Sequence, residues 1–493
     1  MHEVPFEVTM SLTEQPSSNV DETTAAESSA VDPSAVDCPV QEDPEARLSA
    51  VLNRVNRVLL GEAAEERLAQ AVPQDTVADG PYVPGVPRTL QETGLLEGEV
   101  SSLVVKLLLH MGAISGGKVA GHIGLSFSVT SVLLKQMKDD QLVAYKGAAP
   151  AGDYVYELTP KGRERAISCS AASTYFGAAP VPLQQYIDSV SAQSLKRRQP
   201  TYAEIRRAFA DIDLEERLLE RIGQAIHSGR GMFLFGSSGN GKTSIGERVT
   251  KSFGDHIWIP RAITASGDII RLYDPNSHEI VDPNVDPASY DHRWVKIRRP
   301  TVVVGGELQM ENLEVRYISK TGVGEAPVQL KSNCGTLLID DFGRQRMGTD
   351  ELLNRWIVPL EQRHDYLQLA SGRVIKVPFD QLIIFSTNLE PSDLVDDAFL
   401  RRIPYKIEVP DPSVEQFVKV FLSVAQSMGF ECDPEQVEYV LNNYYLPVNR
   451  PMRFCQPRDL LRQIENRCTL LELPRVVTHD ALDAAVENYF SIM

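Results

Sequence analysis

Between Gly236 and Thr243 the chain reads GSSGNGKT: one glycine, four residues, then Gly241, Lys242 and Thr243. That spacing suits a loop built to hold phosphate. Gly236, Gly239 and Gly241 can take the backbone angles that turn successive N–H groups inward, and Ser237, Ser238 and Asn240 complete the turn. Lys242 is placed to reach the β- and γ-phosphates of a nucleoside triphosphate, and the Thr243 hydroxyl to hold Mg²⁺, with Ser244 just behind. The flanks agree with this chemistry. The apolar run 232–235 (MFLF) predicts a buried strand, and the good helix formers after Thr243 predict a helix whose positive end adds to the anion site.

A second acidic element stands about a hundred residues downstream. In GTLLIDDFGR (335–344), Leu337, Leu338 and Ile339 predict another buried strand, which delivers Asp340 and Asp341 at its carboxyl end. In a parallel sheet that end faces the ligand crevice. Asp340 is the candidate Mg²⁺ holder, and Asp341 the candidate for orienting and deprotonating a water. A third apolar run, 382–385, leads to Ser386, Thr387 and Asn388, whose amide can donate and accept at once toward a γ-phosphate or water. Before it, 366–369 and 374–377 alternate around Gly372, a hairpin pattern. Farther on, Arg401 and Arg402 in DAFLRRIPYKIEV could reach a neighbouring subunit's nucleotide if copies form a ring. Arg458 in PRDLLRQI opens a helix and could point back toward phosphate.

The elements that must position these groups follow from pattern. Of 493 residues, 43% are hydrophobic and 24% charged, with a net charge of -18. That is a soluble globular composition whose acidity argues against broad capture of nucleic acid or anionic membrane. Residues 1–94 are expected to be an acidic, disordered tail carrying one amphipathic helix near 48–59 and a proline-rich linker at 81–87. Residues 95–170 predict three helices, the third with Val129, Val132, Leu133 and Met137 inward, then two short strands and a helix capped by Thr159 with Pro160 at its first position. This resembles a winged-helix domain. Its third helix offers only Lys135 and Lys138, followed by Asp139 and Asp140, so docking to protein is expected ahead of DNA, which stays the alternative. A linker is expected over 171–200, an α/β nucleotide-binding domain over 201–412, and a small all-helical lid over 413–493. The six cysteines are scattered, with no metal-ligand spacing, and no run approaches the ~18 apolar residues that span a bilayer. A reducing, cytoplasmic setting without membrane insertion is expected.

Together these residues resemble the AAA+ ATPases over about 201–493. The resemblance implies that 236–243 is the Walker A loop, 337–341 the Walker B strand, Asn388 sensor 1, Arg401 or Arg402 the arginine finger, and Arg458 sensor 2. It further implies ATP and Mg²⁺ as ligands, hydrolysis of ATP, a homo-oligomeric ring and a protein client. The hairpin looks like the pre-sensor insertion of magnesium-chelatase-type and sigma-activator-type members, although the GAFTGA-like loop of the latter is absent. The strings NCGTLLIDDFGRQRMGTDELLNRWIVPLEQR and VPFDQLIIFSTNLEP are similar to poorly characterised bacterial ATP-binding AAA proteins with an N-terminal winged helix. The family's second acidic residue is usually Glu, and Asp341 is one methylene shorter. Slower hydrolysis, or a nucleotide-gated switch, is the expectation that follows.

Overall fold

The computed structural model describes residues 81–491, apart from 319, 320 and 396. The acidic stretch and the candidate helix at 48–59 lie outside them. The chain is mixed α/β. At its centre five strands pair in parallel: β1 (Met232–Phe235), β2 (Thr301–Val304), β3 (Thr336–Ile339), β4 (Leu382–Thr387) and β5 (Tyr405–Glu408), in the order β2-β3-β4-β1-β5. β3 and β4 are buried along their whole length, as expected for inner strands of a parallel sheet covered on both faces. One face packs on the helices Glu216–Ser228 and Lys242–Lys251 through Ile222, Ile226, Ile245 and Val249. The other packs on Trp356 of the helix Thr349–Gln362, with Phe233, Phe342, Phe379 and Phe385 around it.

Two excursions leave this sheet, one before β2 and one between β2 and β3. They fold into a second sheet ordered Arg316–Ile318, Val323–Glu325, Asp268–Arg271, Ala262–Ala265 and Val181–Pro182, and a ribbon of His256–Pro260 with Trp294–Arg298. The hairpin His364–Gln368/Val374–Pro378 forms as expected, with Gly372 left-handed at its turn, and its Leu367, Ile375 and Val377 join the same core. Residues 171–200 do not form a linker. They supply the strand Val181–Pro182 and the helix Leu183–Ala192, whose Tyr186 is fully buried in that core. Burying Tyr186 and Val190 outweighs the polar surroundings that suggested a connector.

The N-terminal part comprises the helices Glu97–Met111, Gly116–Ile123 and Phe127–Asp139, then Val143–Ala148, Tyr154–Leu158 and the helix Pro160–Ala172. A two-residue strand, Ile114–Ser115, adds a third member to the expected pair. Thr159 caps the last helix, accepting from the Gly162 amide at 3.0 Å. Val132, expected inward, is 67% exposed, because Val129, Leu133, Leu134 and Met137 already fill the buried arc.

This part is joined tightly to the excursions. Residues 81–94, expected as linker and tail, lie against them: the Asp291 amide donates to the Pro84 carbonyl, and Tyr82 meets the edge of Trp294. The Ala179 amide donates to Ile123, and that of Thr174 to Thr321. Gly124 is left-handed, and a Cβ there would stand 3.0 Å from the backbone of His292 and Arg293. At the centre of the joint Arg293, 2% exposed, pairs with Asp291 at 2.8 Å and donates to the Thr93 and Pro180 carbonyls. Arg293→Ala leaves Asp291 buried without its cation. The expected cost is about 3–5 kcal/mol in urea unfolding, much of it recovered when Asp291 is also replaced by an apolar residue.

Candidate functional site

β1 ends at Phe235, and the chain turns through Gly236 (φ 130°), Gly239 (φ 87°) and Gly241 (φ 78°) into the helix Lys242–Lys251. Each close approach explains its glycine. A Cβ on Gly236 would stand 2.5 Å from the Val409 carbonyl, and one on Gly239 2.5 Å from Cys455 Sγ. No side chain caps the helix, so its first N–H groups remain open to an anion. Lys242 is buried and donates to the carbonyls of Gly236 (2.8 Å) and Ser237 (3.0 Å), folded back over its own loop. Burial holds its ammonium below the ordinary lysine value, with Asp340 and Asp341 pulling the other way and Arg453 adding to the depression. Ser238 is the exposed crest of the loop, and the Ser244 carbonyl accepts from Arg248.

The register of the sheet brings the acidic groups to this loop. Phe385 on β4 pairs with Ile339 on β3 and with Phe233 on β1, so Asp340 emerges level with Ser386. Thr243 Oγ1 donates to Asp340 Oδ2 and Ser386 Oγ to Asp340 Oδ1, each at 2.7 Å. Asp340 is half-buried, and its backbone amide donates to the Val304 carbonyl at the end of β2. Asp341 is exposed and left-handed (φ 49°), held by its amide on Asp340 Oδ1 and by the Arg344 amide on its own carbonyl. Thr387 pairs with Phe235, which sets the half-buried Asn388 level with Gly236.

A hydroxyl and a carboxylate 2.7 Å apart are a hard-oxygen pair suited to Mg²⁺, which is ordinarily bound by one or two carboxylates with substrate phosphates completing the shell. Among the described residues no cluster of three or more His, Cys, Asp or Glu could hold a metal alone. The glycine cradle and the buried Lys242 fit the triphosphate that such an ion accompanies.

The C-terminal helices, packed around Phe417, Phe421, Leu460, Leu461 and Leu482, meet this loop directly. The Cys455 amide donates to the Gly239 carbonyl at 2.9 Å. Arg453 pairs with Asp411, which accepts from Asn240 Nδ2 at 2.7 Å. Arg458, expected to point back toward phosphate, is exposed, and among the described residues no hydrogen bond or ion pair joins it to the loop. Arg453 is tied to the loop instead, through Asp411 and Asn240. The sequence marked Arg458 through its helix-start context, whereas Arg453 lies in an irregular turn with no pattern to announce it. A cavity of about 240 Å³ beside the loop is walled by Leu214, Leu218, Val409, Pro410 and Phe454, with Asp213 and Gln416 at its polar side. Its apolar walls suit a flat ring. None of these residues was singled out by the sequence.

Arg401 and Arg402 end the helix Asp397–Arg402 just ahead of β5, whose Tyr405 pairs with Met232 at the start of β1. They therefore lie at the opposite end of the strands from the phosphate loop, on the order of 13 Å away along four residues of strand. Arg402 pairs with Glu361 at 2.6 Å, and Arg401 is exposed. The structure brings together Lys242, Thr243, Asp340, Asp341 and Asn388, and leaves both arginines outside.

Three comparisons accompany this geometry. A family model described as a Domain of unknown function (DUF8689) matches residues 413–488, within the C-terminal helices. The comparison with curated proteins returns no match. Among solved structures, a RuvB mutant of Thermotoga maritima is similar at 12% identity and TM-score 0.35, covering 57% of this chain and 71% of that one. NtrX from Brucella abortus in complex with ATP is similar at 15% identity and TM-score 0.36, with 58% of each chain covered. This chain thus spans less than two thirds of NtrX. Among the described residues, no single helix is long and apolar enough to cross a membrane.

The depressed Lys242 gives a pH test with a definite sign. Triphosphate binding needs the ammonium, so as pH rises through its lowered value affinity falls, and the fall begins below the ordinary lysine value of 10.5. Lys242→Arg, whose guanidinium does not titrate there, is expected to bind with a flat alkaline limb. Calorimetric titration of a nucleoside triphosphate from pH 7 to 10 reads both.

Proposed function

We propose that the chain is an AAA+ ATPase that binds ATP with Mg²⁺ and hydrolyses it. The single observation carrying this reading is the short link from Thr243 to Asp340, which puts the metal-holding hydroxyl and carboxylate beside Lys242. In this reading the amides of Gly236–Lys242 hold the phosphates, and Lys242 swings from its loop carbonyls onto the β- and γ-oxygens. Thr243 and Asp340 hold Mg²⁺, which when bound neutralises charge on the phosphate oxygens. Asn388 orients the attacking water, and Asp341 accepts its proton. The base lies against Phe454 and Leu214, and Arg453 or Arg458 on the lid reports the γ-phosphate to the helical unit.

Ring assembly belongs to the same proposal. Arg401 lies at the far end of the sheet from its own phosphate loop, so it can serve a nucleotide only on a second copy. A homo-oligomeric ring, with the winged-helix-like region 95–170 recruiting a protein client, accounts for that placement. The outward side of the helix Phe127–Asp139 favours protein over DNA, since it shows Phe127 and Val132 beside Lys135 and Asp139. One observation favours a slower, regulatory variant: Asp341 is short and fixed in a left-handed turn. In that variant ATP binding switches the state of the N-terminal region, which docks a regulator or DNA, and turnover is incidental.

Phosphate release per chain is expected to rise with protein concentration and to fall by about 10²-fold or more in Lys242→Ala and Asp340→Asn. Arg401→Ala is expected to remove the concentration dependence while leaving ATP binding at the Gly236–Thr243 loop intact. A rate indifferent to concentration and to all three substitutions sinks the proposal. A wild-type rate that Asp341→Glu raises several-fold favours the switch variant.

A further inference from the structure

At the amino-terminal end of the central strands a cavity of about 630 Å³ opens between the turn before β1, the start of β4 and the helix Asp397–Arg402. Its lining includes Lys196, His227, Arg230, Arg363, Arg401 and Arg402, with Glu361 as the only carboxylate. In a chain carrying 67 acidic against 49 basic side chains, this local excess of cations runs against the whole. The ordinary fate of clustered guanidinium groups is pairing with carboxylates. Here Glu361 takes Arg402, and Arg363 turns its donors to the Gly229 and Gln381 carbonyls. Lys196, Arg230 and Arg401 are exposed at the cavity, and among the described residues no carboxylate pairs with them. Three cationic heads held apart from protein acids, around a pocket backed by two fixed guanidinium groups, match the charge and donor count of an oligophosphate.

We infer that this cavity is a second phosphate-binding site, which takes the triphosphate moiety of a nucleotide or a free oligophosphate through Lys196, Arg230 and Arg401. It lies outside the first site, since the phosphate loop follows the carboxyl end of β1 and this cavity precedes its amino end. Lys196 comes from the turn Leu195–Arg197, Arg230 from the turn into β1 and Arg401 from the helix before β5, so three separate segments converge on one ligand. The inference stands without hydrolysis: it requires that the cavity hold an anion, whether or not the first site turns over ATP.

The test uses the full chain carrying Lys242→Ala, which disables the first site, titrated with inorganic tripolyphosphate by calorimetry. One equivalent is expected to bind, more weakly as salt is added. Lys196→Glu with Arg230→Glu on the same background is expected to weaken binding by about a hundredfold, about tenfold for each lost charge-assisted hydrogen bond. Lys196→Gln with Arg230→Gln, gentler to the fold, is expected to give the same direction, with circular dichroism checking that each variant is folded. Absence of binding to the Lys242→Ala chain, or binding that both double variants leave unchanged, overturns the site. The source of the phosphate is read separately, by mixing the Lys242→Ala chain with ATP-loaded wild type. Association that tripolyphosphate competes away assigns the cavity to the nucleotide of a second copy. Association indifferent to tripolyphosphate, with the anion still bound, assigns it to a free oligophosphate.

Discussion

Parallel register between β3, β4, β1 and β5 is the constraint on which the site depends. Thr387 opposite Phe235 and Glu408 opposite Phe235 bring the carboxyl ends of β4, β1 and β5 to one level, while Ile339 opposite Phe385 ends β3 two residues earlier, with Asp340 beside Ser386. Asp340, Asn388, Gly236 and Val409 are simply the next residues out. A slip of one residue would turn each strand's side chains to the other face and move Asp340 away from Thr243. The aromatic group Phe233, Phe342, Phe385 and Trp356 opposes such a slip, because its ring contacts would have to be broken. Packing on one face of the sheet thus sets a geometry used at its end.

The loop itself stores a choice. Lys242 satisfies its buried ammonium with two carbonyls of its own loop, contacts that an incoming anion would replace with charge-assisted ones. The C-terminal helical part shares in that choice, because Gly239 O accepts from Cys455 and Asn240 is tied through Asp411 to Arg453. Any rearrangement of the loop around phosphate is therefore felt at the start of the helix Gln456–Leu470. This contact also explains why residue 239 has no side chain: Cys455 occupies the space.

What could be read in the sequence was local. The phosphate loop, the strand ending in Asp340, the strand ending in Asn388 and the hairpin each announce themselves within ten residues by spacing and apolar runs. The excursion sheet did not, since its strands are two to four residues long and two of its four pairings join segments far apart in the chain, Val181 with Ile263 and Ile269 with Val323. Residues 171–200 were misread for the same reason: their order comes from a core assembled elsewhere. Val132 shows the limit of periodicity, which gives an arc of apolar residues but not how many of them the neighbouring helices can cover. Arg453 and Asp411 belong to irregular segments brought together by the packing of the C-terminal helices, and no window of sequence contains both. Arg401 and Arg402 were correctly seen as a pair of arginines, but the end of the sheet on which they stand follows only from β5 being parallel to β1.

The N-terminal part bears on the site through one short path. It is fixed to the excursions by buried Arg293 and by backbone hydrogen bonds, so it does not swing as a tethered module. The excursions in turn leave and rejoin the sheet on either side of β2. The last carbonyl of β2, on Val304, accepts from the Asp340 amide, and Gly306 accepts from Arg346 just beyond Asp341. A displacement of the N-terminal part that tilts β2 therefore acts on the acidic pair before it reaches the phosphate loop, which lies two strands farther in. One of the two edge strands of the sheet, β2, is flanked by both excursions and makes the amide contact to Asp340.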